Sequence, residues 1–340
     1  MLTLLNSDPE SSYEDITLEL SILVVTWNAK KFVEECFGSI LEDIKDLSAE
    51  VIAVDNASTD GTPDMIAERF PEVKLIRSTT NLGFPTGNVV AIQHSRSEKY
   101  VCLVNPDVRV LPGCFQALID YMEKNPRVGV VGPKTWNPDG SVQASCMRAP
   151  SVWTAWCRAL ALDTSVLRHL PLFGGQLMSD FAHNKTRDVD VLNGAFLLIR
   201  RAAMDEVGLI DDRYFMYGDD IDWCLRFRKA GWRVAFDADA EAIHYGGGTT
   251  ARAPVYFYVE MQKANLQYWK KHHSRAAQFA YLASVGVHDS LRYLLYSILS
   301  AFGESWRTRV GRKAERSLAS LRWLFGFRSK SIETSSSRDS

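Results

Sequence analysis

Four short runs decide the fold of this chain: Leu20–Thr26 (LSILVVT), Glu50–Asp55 (EVIAVD), Val73–Arg77 (VKLIR) and Tyr100–Asn105 (YVCLVN). The first, second and fourth are almost continuously apolar rather than alternating, as expected of strands covered on both faces in a parallel sheet. Helical stretches lie between them. Lys30–Ile44 sets Phe32, Cys36, Phe37, Ile40 and Ile44 on one side of a helix. Asn56–Thr62 has turn chemistry, Pro63 suits a first helical turn, and Asp64–Phe70 and Gly87–His94 read as short helices. Strands alternating with helices at this spacing build right-handed βαβ units, whose ligands bind at the carboxyl ends of the strands. Thr26, Asp55 and Asp107 stand at those ends, so an acidic crevice of phosphate size is expected there.

Further along, VGVVGP from Val128 and the stretch Val189–Ile199 read as strands, with an irregular insert carrying Arg148, Trp153 and Trp156 between them. Arg201–Gly208 is a short helix, Asp219–Ala230 is an amphipathic one, and Trp232–Phe236 is a strand running on to His244. From Val255 the pattern is mainly helical. The expected organisation is a polar arm over 1–17, an α/β domain over 18–254, a helical basic region over 255–330 and a disordered tail over 331–340.

Composition narrows the class. Of 340 residues, 46% are hydrophobic and 24% charged, which is ordinary globular usage and excludes disordered or collagen-like chains. The net charge of −2 conceals a division: 12 basic and 3 acidic residues between Lys270 and Lys330 leave +9 there and −11 on the other 279 residues. The six cysteines are scattered without metal-ligand spacing, as buried thiols in a reducing compartment would be. MLTLLNSDPESSYED lacks the basic start of a secretory signal, and no apolar run approaches the ~20 residues of a membrane span. A cytoplasmic protein without a transmembrane helix is expected.

Seven strings carry a resemblance: ILVVTWNA (22–29), VIAVDNASTDGT (51–62), NLGFPTGN (81–88), LVNPDV (103–108), NGAFLLIRR (193–201), FMYGDDIDWCLRFRKAGW (215–232) and IHYGGGT (243–249). Together they resemble glycosyltransferase family 2, the inverting GT-A enzymes, and within it a bacterial rhamnosyltransferase-like branch. The resemblance covers about residues 20–250. It implies a GT-A fold: an α/β, Rossmann-like, mostly parallel sheet flanked by helices, here with a C-terminal helical appendage.

The resemblance also assigns roles. Asp55 would accept from the N3–H of a uracil or thymine ring, with Thr26 and Asn28 lining the same pocket and Asn81 in the same nucleotide-sugar site. An Asx-turn is the plain alternative, and it suits Asp60 better. Asn105-Pro106-Asp107 occupies the place of the family's metal-binding D-x-D, with an amide for the first carboxylate; Asp107 is then the carboxylate ligand of Mn²⁺ or Mg²⁺, and Asn105 reaches ribose or phosphate. His244 corresponds to a further metal ligand, and Gly246, Gly247 and Gly248 to a loop closing over the diphosphate. Asn193 and Gly194 would contact donor or acceptor.

Asp219, Asp220 and Asp222 open a helix. Capping the helix dipole explains one carboxylate well and three poorly. The string matches the family's E-D-x-D, with Asp220 as the base that takes the acceptor hydroxyl's proton and Asp219 beside it. Asp222 and Trp223 are candidates for acceptor contact, although Trp223 is equally a core residue.

The basic tail mixes arginines with aromatics. Leu291–Phe302 and Leu318–Phe327 would be amphipathic helices for an anionic membrane surface, a packing appendage or a homo-oligomer interface. No nucleic-acid recognition motif accompanies the charge. The expected reaction is metal-dependent inverting transfer of L-rhamnose from dTDP-L-rhamnose to a polyprenyl-diphosphate-linked saccharide acceptor on the inner face of the cell membrane. Three rivals remain: a UDP-sugar galactosyl-, glucosyl- or N-acetylhexosaminyltransferase, a nucleotidyltransferase, and a non-catalytic scaffold. A nucleotidyltransferase should carry a glycine-rich basic loop near the first strand, and VTWNAKK has none; a scaffold should have lost Asp107 or Asp220.

Overall fold

The computed structural model describes residues 2–4, 18–246 and 253–326. Its strands, in chain order, are β1 (Leu2–Leu4), β2 (Leu20–Thr26), β3 (Ala49–Asn56), β4 (Lys74–Ser78), β5 (Tyr100–Val104), β6 (Val108–Val110), β7 (Val128–Trp136), β8 (Val142–Gln143), β9 (Cys146–Met147), β10 (Arg187–Asp188), β11 (Val191–Leu192), β12 (Phe196–Arg200) and β13 (Arg233–His244). The main sheet runs β1-β4-β3-β2-β5-β12-β7-β13-β10, with β6 paired to β13 and β8 to β7; β9 and β11 pair separately. β4, β3, β2 and β5 are mutually parallel, as the unbroken apolar runs require. All seven residues of β2 are buried.

The flanking helices follow the expected periodicity. α1 (Lys30–Asp43) turns Val33, Cys36, Phe37 and Ile40 inward, and α2 (Thr62–Arg69) starts with Pro63 in its first turn. α3 (Phe84–Gln93) and α4 (Cys114–Lys124) cover the sheet next. α5 (Val152–Ala159) lies in the insert, followed by α6 (Arg201–Val207) and α7 (Asp219–Lys229). One continuous core joins α1 and α4 to the strands, from Leu20 through Phe37 and Leu118 to Ala242. All six cysteines are free and buried.

Three expectations need correcting. The arm over 1–17 contributes structure, because Leu2–Leu4 pairs antiparallel with the edge of β4; a paired strand satisfies the N–H and C=O groups that an open edge exposes. Its remainder, 5–17, lies outside the described residues, as do the tail over 331–340 and Gly247 and Gly248. Second, the stretch 189–199 is not one strand. Asn193 Oδ1 accepts from the Ala195 N–H at 3.0 Å in an Asx-type turn, which separates β11 from β12. β12 then runs antiparallel to both β5 and β7, inserted between them.

Third, the chain divides into two compact units, residues 1–149 with 182–249, and residues 150–181 with 250–340. Residues 150–181, expected inside an unbroken 18–254 domain, group with the C-terminal helices because α5 packs against them. That second unit comprises α5, α8 (Pro254–His272), α9 (Arg275–Ala301) and α10 (Glu304–Leu324). Its core includes Trp269 stacked on Tyr281 at 4.9 Å and the buried Tyr258 hydroxyl donating to Asp289 at 2.9 Å. Trp153 and Trp156 lie on α5, where Trp153 Nε1 donates to the Leu172 carbonyl at 2.8 Å. No helix among the described residues is long and apolar enough to cross a membrane.

Candidate active site

Two neighbouring strand ends hold a polar cluster. Thr26 Oγ1, at the end of β2, donates to Asp55 Oδ1 at 2.9 Å, at the matching end of β3. The Ser58 hydroxyl donates to the same oxygen at 2.6 Å, and the Ser58 N–H donates to Asp55 Oδ2 at 2.9 Å. Asp55 therefore makes the Asx-type contact as well as Asp60, whose Oδ1 accepts from the Thr62 N–H. Asn28 adopts a left-handed φ of 50°, accepts from the Thr59 N–H at 2.8 Å, and donates its own N–H to Ser58 Oγ. Its role is to lock the β2 loop to the β3 loop. Asn81 is exposed and turns the chain by accepting from the Gly83 N–H. Gly83, at φ 80°, then approaches Phe215 so closely that a Cβ would lie 2.7 Å from the Phe215 carbonyl oxygen. The Phe84 N–H donates to that same carbonyl at 3.1 Å. The 81–84 loop is thus pinned to the segment leading into α7.

A second cluster forms where β5 ends. The Asn105 N–H donates to the Ala195 carbonyl at 2.8 Å, which ties the loop after β5 to the start of β12. The Tyr245 N–H donates to the Asp107 carbonyl at 2.9 Å, which brings the end of β13 to the same place. His244 Nε2 consequently lies 3.3 Å from Asp107 Oδ1. The buried Asn105 Oδ1 has no hydrogen-bond partner. Among the described residues no group of three or more His, Cys, Asp and Glu side chains converges, so any cation here would rest on Asp107, His244 and the Asn105 amide oxygen. A bare carboxylate, an imidazole and an orphaned amide oxygen are the donor set such an ion needs.

The acidic helix start completes the site. Tyr217 and Gly218 both adopt positive φ, 67° and 74°, in the turn before α7. Gly218 has no side chain to cap the helix, and Asp220 fills the gap: its Oδ1 accepts from the Ile221 N–H at 2.8 Å. Its Oδ2 accepts from the Gly194 N–H at 3.0 Å. Gly194 and Ala195 are adjacent, so Asp220 is linked through them to Asn105 and the Asp107–His244 pair. A Cβ on Gly194 would meet Asp220 Cβ at 3.4 Å, an ordinary van der Waals contact. Burial pushes the Asp220 carboxyl above its usual range, against the pull of the two N–H donors. Burial raises Asp219 further, and the neighbouring Asp220 charge adds to it.

Asp222 and Trp223 are both buried, as the core alternative for Trp223 expects. Asp222 is 0% exposed and pairs with Arg226 at 2.9 Å, while Arg226 also donates to the carbonyls of Val207, Gly208 and Leu209. Trp223 is buried, with Nε1 donating to the Gly208 carbonyl at 2.9 Å. Helical periodicity is the reason: these positions turn into the core behind Asp219 and Asp220, and clamp α7 to the end of α6. Sequence reasoning missed Ser58, although it lies inside the quoted VIAVDNASTDGT string. It also missed Gln143, whose Oε1 lies 2.7 Å from His244 Nδ1. Gln143 sits in an irregular stretch with no spacing to betray it.

The model of glycosyl transferase family 2 matches residues 21–208, more than half of the sequence. The chain belongs to this family. It is therefore a glycosyltransferase, and the nucleotidyltransferase reading falls away. An N-acetylglucosaminyl-diphospho-decaprenol L-rhamnosyltransferase of Mycobacterium tuberculosis is 30% identical over 282 residues, covering 75% of this chain and 85% of the relative. A short stretch of 57 residues, 17% of this chain and 22% of the relative, is 44% identical to the rhamnosyltransferase WbbL of Escherichia coli K12. Among solved structures, the mannosyltransferase PcManGT of Pyrobaculum calidifontis, in complex with GDP-Man and Mn²⁺, superposes with a TM-score of 0.56 at 17% identity, covering 92% of this chain and 89% of that one. The sheet of the family 2 chain is accordingly of the GT-A type.

Proposed function

We propose that this glycosyltransferase moves L-rhamnose from dTDP-L-rhamnose, with inversion, to a polyprenyl-diphosphate-linked saccharide during assembly of a bacterial surface polysaccharide. The observation that carries the proposal is the chain of contacts joining Asp220 through Gly194, Ala195 and Asn105 to the facing Asp107 and His244. A proton acceptor and a cation site within one hydrogen-bonded cluster are what this reading requires. The choice of rhamnose and of a lipid-linked acceptor follows the name of the M. tuberculosis relative.

In this reading Thr26, Asn28, Asp55, Asn81, Asn193 and Gly194 line the nucleotide-sugar side, and Asp55 receives the nucleobase. Asp107, His244 and Asn105 hold Mn²⁺ or Mg²⁺, and the nitrogen ligand favours Mn²⁺. Such an ion would neutralise charge growing on the departing diphosphate. The acceptor hydroxyl oxygen bonds to C1 as the C1–O bond to the diphosphate breaks. Its proton passes to Asp220, and the bonding pair leaves with the nucleoside diphosphate. The raised Asp220 carboxyl suits a base that must be ionised yet bind a proton well.

We further infer that the second unit docks on an anionic membrane surface from the cytoplasmic side. Among the described residues, every exposed large hydrophobic side chain except Val142, Leu209 and Phe215 lies in this unit. α9 exposes Leu291, Leu294, Leu295 and Ile298, and α10 exposes Arg307, Arg309, Arg312 and Lys313. Each cation near anionic lipid contributes about 1 kcal/mol.

A thermal-shift comparison of dTDP-L-rhamnose with UDP-sugars, each with Mn²⁺ or Mg²⁺, tests the donor. A ligand at 100 times its Kd stabilises by about 2.7 kcal/mol. The proposal expects the largest shift from dTDP-L-rhamnose with Mn²⁺; a larger shift from a UDP-sugar would overturn the choice of donor.

A further inference from the structure

Gln143 ends β8, which pairs with β7 through Thr135↔Gln143, and its side chain is the hub of a directed set of hydrogen bonds. Gln143 Nε2 donates to the His244 carbonyl oxygen at 3.1 Å and to Asn137 Oδ1 at 2.9 Å. Gln143 Oε1 lies 2.7 Å from His244 Nδ1. A backbone carbonyl can only accept, so the nitrogen of the Gln143 amide must point to it and the oxygen to the imidazole.

A second anchor fixes the same direction independently. The Asp139 carboxylate accepts from the Ser141 hydroxyl at 2.6 Å, and the Ser141 oxygen in turn accepts from Asn137 Nδ2 at 2.9 Å. Asn137 must therefore turn its oxygen to Gln143, and Gln143 its oxygen to His244. Because an amide oxygen cannot donate, His244 Nδ1 carries the hydrogen. The neutral ring then presents a bare Nε2 lone pair, and that lone pair faces Asp107 Oδ1 at 3.3 Å. Two acceptors at this distance repel unless a cation or a second ring proton lies between them.

We propose that Gln143 is a positioning residue that fixes His244 in the Nδ1–H tautomer, so that Nε2 and the Asp107 carboxylate face one divalent cation together. The inference rests on the cation reading given above. Gln143 touches neither substrate nor ion; it acts through His244, as partners of metal-bound histidines commonly do.

The test is long-range ¹H–¹⁵N NMR on the full chain labelled with ¹⁵N-histidine, at a pH where free imidazole is neutral, with His244 assigned by its loss in His244→Gln. The expected spectrum has His244 protonated at Nδ1 and bare at Nε2. In Gln143→Leu, shown to be folded by near-UV circular dichroism, that preference should be lost. Titration with Mn²⁺ alone, followed by the electron paramagnetic resonance of the free ion, should show about 10–100-fold weaker binding to the variant. A wild-type His244 protonated at Nε2 overturns the proposal without recourse to any variant. So does a Gln143→Leu protein with unchanged tautomer and unchanged Mn²⁺ affinity. Wild-type protein with the Nδ1–H form but no Mn²⁺ binding overturns the cation reading, and with it the purpose assigned to Gln143; the spectrum separates that failure from a wrong tautomer.

Discussion

Burial pushes the neighbouring carboxyls of Asp219 and Asp220 above their usual range, and the Asp220 charge adds to the rise of Asp219. If Asp220 is the base, Asp220→Asn should lower kcat by about 10²–10⁴-fold while donor binding stays within a few-fold; an unchanged kcat removes it from that role. Asp219 gives a prediction about stability. Its folded pKa is raised above the unfolded value of ~3.9. The folded state therefore holds the proton more tightly, and stability falls as pH rises from that value toward the raised one. Asp219→Asn should raise the unfolding midpoint at about pH 8, with the gain disappearing near pH 4; thermal melts across that range check the sign. That Asp107, His244 and Asp220 come together in one linked cluster was legible because they sit at fixed places in recognisable strings. The burial of Asp222 and Trp223 was not decided by the same string, because it does not say which residues of its helix turn inward. Gln143 was illegible because its importance comes entirely from a hydrogen-bond chain formed between distant segments.

At the level of elements, β2, β3 and β5 were readable within a residue or so from continuous apolar runs, and α1 from its inward stripe. The antiparallel insertion of β12 between β5 and β7 was not, because its apolar run would suit either direction. The pairing of β1 with β4 was hidden for a similar reason: three residues carry too little periodicity. The 81–84 loop offers a direct check on how elements support the site. Gly83→Ala must place a Cβ at a left-handed φ and 2.7 Å from the Phe215 carbonyl oxygen. The expected cost is about 1–3 kcal/mol, read as a lower denaturant midpoint. A midpoint equal to wild type would mean that the 81–84 and 215–220 segments are not pinned together.

Across the whole molecule, the near-neutral charge resolves into an acidic body and a basic C-terminal region, and among the described residues the exposed large apolar side chains fall mainly in two stretches, 153–177 and 279–325. Replacing Arg307, Arg309, Arg312 and Lys313 by Glu should abolish sedimentation with anionic vesicles and leave transfer to a water-soluble acceptor intact. Vesicle binding that survives the four substitutions would refute docking through α10. The central claim concerns transfer itself. It is tested most directly by incubating the purified full chain with dTDP-L-rhamnose, Mn²⁺ and a polyprenyl-diphospho-N-acetylglucosamine in vesicles, then analysing the lipid by mass spectrometry. The account predicts addition of one deoxyhexose, with inverted configuration at C1, by the wild type and its loss in Asp220→Asn. An unmodified lipid with the wild type, or equal product from Asp220→Asn, would contradict it.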